Sequence, residues 1–397
     1  MFYFFIFFIL SLFAINELFD DKYNKLRRQF LLVSIVILTV VAGLRYETGV
    51  DWITYTIMFD QTPSIGTSNF FHILGSLNFG FSILLSLVKT LGGGIQTVFL
   101  IVAIISFTFL YKALKIYTPY RNTSLLLYFC LFFFVLDMSG IRQAVALNIF
   151  FYSIQYIENR NFKKYMLYTL LAFSFHWTSF LFLPIYFVFN RRFSTKACVI
   201  FFVICILFAF FQIRWVVFLL SVIPNIFGDE FHFKILFYTQ NSVFATPKIF
   251  GFGGIAIFCI FIFLCIYRKK LENQYPYHNI YFNLFLFQIF IYFALFEFGD
   301  ISARLRLYTF LSMIIVLPYF FYLFKGIGNK IIFFFLVVSY GFLFARPYLL
   351  TTEQAIAYTP YQNYIVHKVI LNKKSDGRER VKMHEEFFMK KMKMQED

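Results

Sequence analysis

Apolar runs of membrane-crossing length recur from one end of this chain to the other, and few folds can accommodate them. Residues 2–18, 30–44, 96–111, 124–136, 141–157, 197–211, 249–267, 280–298, 307–324 and 331–345 each read as a span, which needs about 20 apolar residues, or fewer where the bilayer is thin. Inside hydrocarbon every backbone N–H and C=O must be satisfied within its own segment, so such runs are helices. With 60% of residues hydrophobic and 14% charged, no soluble domain could bury the apolar surface. The expected class is all-α: a polytopic transmembrane helix bundle of about 10–12 spans.

The net charge of +16 would raise the question of nucleic acid in a soluble protein. Here the cations sit in short loops between apolar runs, the pattern that orients membrane proteins, so the partner is a lipid bilayer and no nucleic acid is expected. The five cysteines lie inside apolar runs without CxxC spacing and read as small core residues. Residues 1–15 lack a basic n-region and a small-residue cleavage site, so they read as a retained first helix. Residues 1–371 form one expected membrane domain, and 372–397, rich in Lys, Arg and Glu, a polar mobile tail.

Lys22, Lys25, Arg27 and Arg28 follow the first run and make that side cytoplasmic. The second run then delivers Gly43-Leu-Arg-Tyr-Glu-Thr-Gly-Val-Asp-Trp-Ile-Thr-Tyr55 to the outer face. A turn at Gly49 explains a polar loop there. Arg45, Asp51 and Tyr55 also make a candidate site for an anionic substrate. Residues 70–90 are too polar for a lipid-facing span and end in Gly92-Gly93-Gly94, predicting an interfacial helix and a break. Arg142 and Gln143 open the run 141–157 just after Asp137, a polar knot where an intramembrane cation suggests function. The stretch 165–189 has basic residues at both ends and Phe175-His176-Trp177-Thr178-Ser179 at its middle. Either one straight helix or a helix broken near His176 and re-entering fits it, and the second keeps both basic ends inside. Residues 224–248, with Asp229, Glu230, His232 and Lys234, read as an outer connection, either a substrate-gripping loop or lid or a disordered tether. Gly299 to Arg306 reads as an outer loop carrying Arg304 and Arg306.

Sorted by side, Arg45, Asp51, Arg142, Arg304 and Arg306 gather outside while the inner loops hold lysine-rich stops. Arginine grips phosphate bidentately, which suggests an anionic lipid headgroup such as a diphosphate. No carboxylate pair has metal-binding spacing, and neither a metal nor a cofactor is expected.

The set Gly43-Leu-Arg45 with Gly49 and Asp51 to Tyr55, Arg142-Gln143, Phe175-His176 with Thr178 and Ser179, and Arg304 with Tyr308 resembles the EpsG/Wzy-like polysaccharide polymerase family. The resemblance implies an enzyme at the outer face of the bacterial cytoplasmic membrane, working beside a flippase and a chain-length regulator. It would transfer a growing glycan from its polyprenyl diphosphate carrier onto a lipid-linked oligosaccharide repeat unit. The implied roles are Asp51 or His176 as base, and Arg45, Tyr55, Arg142, Gln143, Arg304 and Tyr308 as substrate-binding residues. Where many members show Glu-Pro-Gly-Tyr after the first motif, this chain has Asn78-Phe79-Gly80-Phe81, and the acid is missing. A flippase of the same lipid-linked sugar and a glycan ligase are the rival readings. No recurrence of the opening motif in 200–397 supports the internal repeat common among transporters.

Overall fold

The computed structural model describes residues 1–19, 24–67, 78–216, 218, 251–297, 299–350 and 352–396. Lys22, residues 70–77 and the loop 224–248 therefore lie outside the described residues. Within them the regular elements are helical, and an isolated bridge pairs Arg45 with Asn363. In chain order the α-helices are α1 (Phe2–Ile15), α2 (Asn24–Gly43), α3 (Trp52–Gln61), α4 (Phe79–Thr90), α5 (Ile95–Tyr117), α6 (Arg121–Tyr128), α7 (Ile141–Ser153) and α8 (Gln155–Glu158). They continue with α9 (Phe162–Phe175), α10 (Tyr186–Phe189), α11 (Thr195–Phe210), α12 (Phe252–Gln274), α13 (His278–Phe293), α14 (Gly299–Tyr319), α15 (Ile327–Leu349) and α16 (Gly377–Glu396).

Among the described residues five helical segments are long and apolar enough to cross a membrane: Lys25–Gly43, Ile95–Tyr117, Phe252–Gln274, Ile301–Leu323 and Ile327–Leu349. Shorter apolar helices join them, and the chain is a multi-pass membrane protein of all-α class. Two boundaries differ from the sequence expectation. Lys25, Arg27 and Arg28 belong to the first turns of α2 rather than to a loop, because lysine and arginine are good helix formers. Residues 299–306 form the start of α14 and not a loop. Ile301, Leu305 and Tyr308 recur at helical spacing there, and the Ser302 hydroxyl donates to the Leu295 carbonyl.

The stretch around His176 is a hairpin. α9 has 14 residues, about 21 Å at 1.5 Å per residue, well short of the roughly 30 Å hydrocarbon core. It ends at His176, whose φ of −151° and ψ of 122° are extended, and a 3-10 helix follows over Trp177–Ile185. Tyr165, near the start of α9, donates its hydroxyl to the Phe182 carbonyl at 2.6 Å, and Phe173 packs on Phe180. The limb after His176 therefore runs back along α9, which is the re-entrant alternative.

The chain forms two compact units, residues 1–184 with 317–397 and residues 185–316. In the first, α5 packs between α2 and α7, α7 also packs on α9, and α1 packs on α6 and α15. Its C-terminal part folds back over the polar segment after α2. The buried Arg380 of α16 donates to the carbonyls of Glu47 and Pro360, both at 3.1 Å, and pairs with Asp376 at 2.9 Å. In the second unit α13 packs on α11 and α12. The buried Arg268 is held there by Glu272 at 2.8 Å, by the Phe193 carbonyl at 2.6 Å and over the Phe282 ring at 4.6 Å.

Candidate functional site

The polar segment between α2 and α3 is fixed on two sides by backbone hydrogen bonds. Tyr46 N–H donates to the Gln362 carbonyl and Tyr364 N–H to the Leu44 carbonyl, each at 2.7 Å, and Gly49 N–H donates to the Ala357 carbonyl at 2.8 Å. Gly49 has φ +103°, and a Cβ there would stand 2.0 Å from the Met138 carbonyl oxygen. Only glycine meets both the left-handed backbone and the close approach. Val50 N–H then donates to Ser139 Oγ at 3.1 Å, and Ser139 Oγ shares a 2.8 Å hydrogen bond with the Tyr358 hydroxyl.

Arg45 is enclosed by this arrangement, with 1% of its surface exposed. Its Nη1 donates to the carbonyls of Ala42 at 2.8 Å and Asp137 at 2.7 Å, and its guanidinium lies 4.4 Å from the Phe99 ring centroid. Two charge-assisted hydrogen bonds and a cation–π contact offset the desolvation of the cation. Arg45 thus clamps the end of α2 to the turn before α7. Below that turn Asp137 accepts from Ser106 at 3.0 Å and Tyr128 at 2.9 Å, and Asn148 donates to both of those hydroxyls at 2.8 Å.

Arg142, second residue of α7, is half-buried. Its guanidinium lies 5.7 Å from the Tyr55 ring and 5.9 Å from the Phe81 ring. Nη1 donates to the Asn78 side-chain oxygen at 3.1 Å when the Asn78 amide is turned so that its nitrogen donates to the Phe175 carbonyl at 3.2 Å. That orientation satisfies both ends of the amide. Asn78 therefore links Arg142 to the residue immediately before His176. Gly80 permits the approach of α4 to α9, since a Cβ there would lie 2.3 Å from Ser174 Oγ.

The remaining expected residues fall as follows. Tyr55 is buried on α3, edge-on to Phe81 at 5.7 Å. Burial raises its phenol pKa, Arg142 opposes the rise and Asp51 adds to it, so the phenol feels both charges and stays protonated at neutral pH. Asp51, at the N-terminus of α3, is half-buried. His176 is buried, its Nδ1 2.7 Å from the Thr178 hydroxyl, while Ser179 donates to its carbonyl at 2.9 Å. Gln143 is buried on α7. Arg304 and Tyr308 lie on α14 within the second unit, Arg304 exposed and Tyr308 buried.

The structure thus brings Tyr55, Arg142 and the His176 corner together, with Asn78 linking the last two. Sequence reasoning noted Asn78 only as a departure, and its signal was an amide directly before Phe79-Gly80. It also missed the role of residues 353–380 as the cover of the opening motif. A row of tyrosines after the last span, Tyr358, Tyr361 and Tyr364, was the available hint. Among the described residues no three His, Cys, Asp or Glu side chains are grouped so as to hold a metal ion.

A family model described as the EpsG family matches residues 28–363. The match runs from within α2 through Asn363, the bridge partner of Arg45, and so includes Arg45, Asp51, Tyr55, Asn78, Arg142 and His176. No match was found among curated proteins or among solved structures.

Proposed function

From its place in the EpsG family, to which this chain belongs, we propose that it polymerises polyprenyl diphosphate-linked oligosaccharide repeat units in exopolysaccharide biosynthesis. The observation that carries the reading is the placing of Arg142. A half-exposed guanidinium stands on two aromatic faces with Asn78 fixing one nitrogen, a pre-organised fork for a phosphate oxygen.

In this reading Arg142 binds the donor diphosphate and stabilises the charge that develops as the sugar–phosphate bond breaks. The acceptor sugar hydroxyl attacks the anomeric carbon, the polyprenyl diphosphate leaves, and the hydroxyl proton passes to a base. Asp51 and His176 are the candidates. Asp51 is half-buried whereas His176 is buried, so an incoming sugar hydroxyl reaches Asp51 more readily, which favours it. Arg45, being enclosed, holds the segment that carries Asp51 and acts as a positioning residue. The working face is outward in this reading, as the cations of 25–28 and 191–196 place it.

The test is the glycan made in cells that carry Arg142→Ala at wild-type protein level. The expected result is loss of long polymer with build-up of single lipid-linked repeat units, and partial recovery with Arg142→Lys. Unchanged polymer length and yield would remove Arg142 from the diphosphate site.

A further inference from the structure

The second unit carries a groove that the proposed reaction does not use. It runs between α10, α11 and α13, has a volume of about 390 Å³, and its walls include Phe189, Phe193, Phe201, Leu286 and Phe287. That volume lies within the range of small-ligand sites. Its mouth is open, Val188 being 46% and Phe193 38% exposed.

Two features separate it from a plain lipid-facing surface. Asn283 lines the groove at 3% exposure. Its Nδ2 donates to the carbonyls of Phe189 at 2.7 Å and Arg191 at 2.8 Å, which fixes the orientation of the amide. Its Oδ1 has no hydrogen-bond partner among the described residues, so a buried, unpaired acceptor sits on a residue that lines the slot. Such an atom is costly to leave unpaired, and a bound donor relieves the cost. The second feature is charge. The turn that closes this end of the groove holds Arg191, Arg192 and Lys196, all exposed. Arg191 Nε turns back to the Phe187 carbonyl at 3.2 Å, while Arg268 beneath is paired with Glu272.

We propose that this groove seats an anionic phospholipid whose headgroup carries both a phosphate and a free hydroxyl, of the phosphatidylglycerol type. The acyl chain fills the aromatic slot, the phosphate meets Arg192 and Lys196, and the headgroup hydroxyl donates to Asn283 Oδ1. A choline headgroup satisfies neither requirement, because it is zwitterionic and has no donor. Basic rims over interhelical slots are a recurrent way of holding anionic headgroups.

The test is native mass spectrometry of the full-length protein, delipidated in detergent and then titrated with phosphatidylglycerol, phosphatidylmethanol or phosphatidylcholine. Phosphatidylglycerol should be retained about tenfold more than phosphatidylcholine, as two cations near one anionic headgroup imply, and also more than phosphatidylmethanol, which has the charge without the hydroxyl. Arg192→Gln with Lys196→Gln should bring the glycerol-to-choline ratio close to one. Ala197→Trp, at an exposed position on the groove wall, should lower retention of all three lipids. Wild-type protein that does not distinguish glycerol from choline headgroups, or a preference untouched by these variants, would overturn the assignment. Stoichiometric displacement of phosphatidylglycerol by a polyprenyl phosphate would overturn it too, and give the groove to a carrier lipid.

Discussion

Arg45 and Arg142 belong to the same set of sequence motifs, and their surroundings give them different tasks. Arg45 is enclosed and bonded to two main-chain carbonyls. Arg142 is half-exposed and bonded through one side-chain amide. Arg45→Leu leaves those carbonyls without their donor, so it should destabilise the detergent-solubilised protein by roughly 1–3 kcal/mol, seen as a fall in thermal midpoint. Arg142→Ala loses one amide contact and two ring faces, so it should shift stability by about 1 kcal/mol or less, and still lose polymer. Equal midpoints for the two variants would contradict this division. Both arginines were legible in the sequence as polar residues beside apolar runs. Their difference was not, because Arg45 is enclosed by Asp137, Phe99 and the backbone bridge to Asn363, all far away along the chain.

Among the elements, the α9 hairpin and α4 decide whether the site is assembled. The charge pattern at the two ends of 165–189 left a straight and a returning helix open, and the Tyr165 bond to Phe182 belongs to the return. The contact of α4 with the hairpin left a fainter trace, a glycine whose need is visible only when Ser174 is beside it. Gly80→Ala should push α4 off α9, separate Asn78 from Arg142 and lower polymer yield. Adding Ser174→Gly should restore part of that yield, because it removes the nearer clash but not the 3.0 Å approach to the Ser174 carbonyl. Failure of the second change to restore any yield would detach Gly80 from this contact. The helical start of α14 was hidden for another reason: Gly299-Asp300 reads as a turn, and the Ser302 hydroxyl bond to the Leu295 carbonyl exists only in the folded chain.

For the whole molecule, the class was fixed by apolar runs, and the sidedness of the tail follows from packing. Arg380 binds the carbonyl of Glu47, so the start of α16 and the opening motif lie on one face. The sequence alone left its lysines in conflict with an outer position. We propose that the hairpin at 162–185 adds no crossing, the count under which both ends of this contact fall on the same side. Single cysteines at Ser64 and Lys374 in a cysteine-free background should react with a membrane-impermeant thiol reagent from the same side of sealed vesicles. Labelling from opposite sides would break the topology. Arg380→Ala should release α16 and speed proteolysis within 372–390, read as a shorter chain on a gel.

The central claim is that this EpsG-family protein joins repeat units at the Arg142 site. It is tested most directly in liposomes that hold the purified protein, with a polyprenyl diphosphate-linked repeat unit supplied to the face carrying Arg142. Wild type should give a ladder of longer glycans and Arg142→Ala none. No ladder from wild type, with movement of the lipid-linked sugar between leaflets instead, would contradict it and make the protein a transporter.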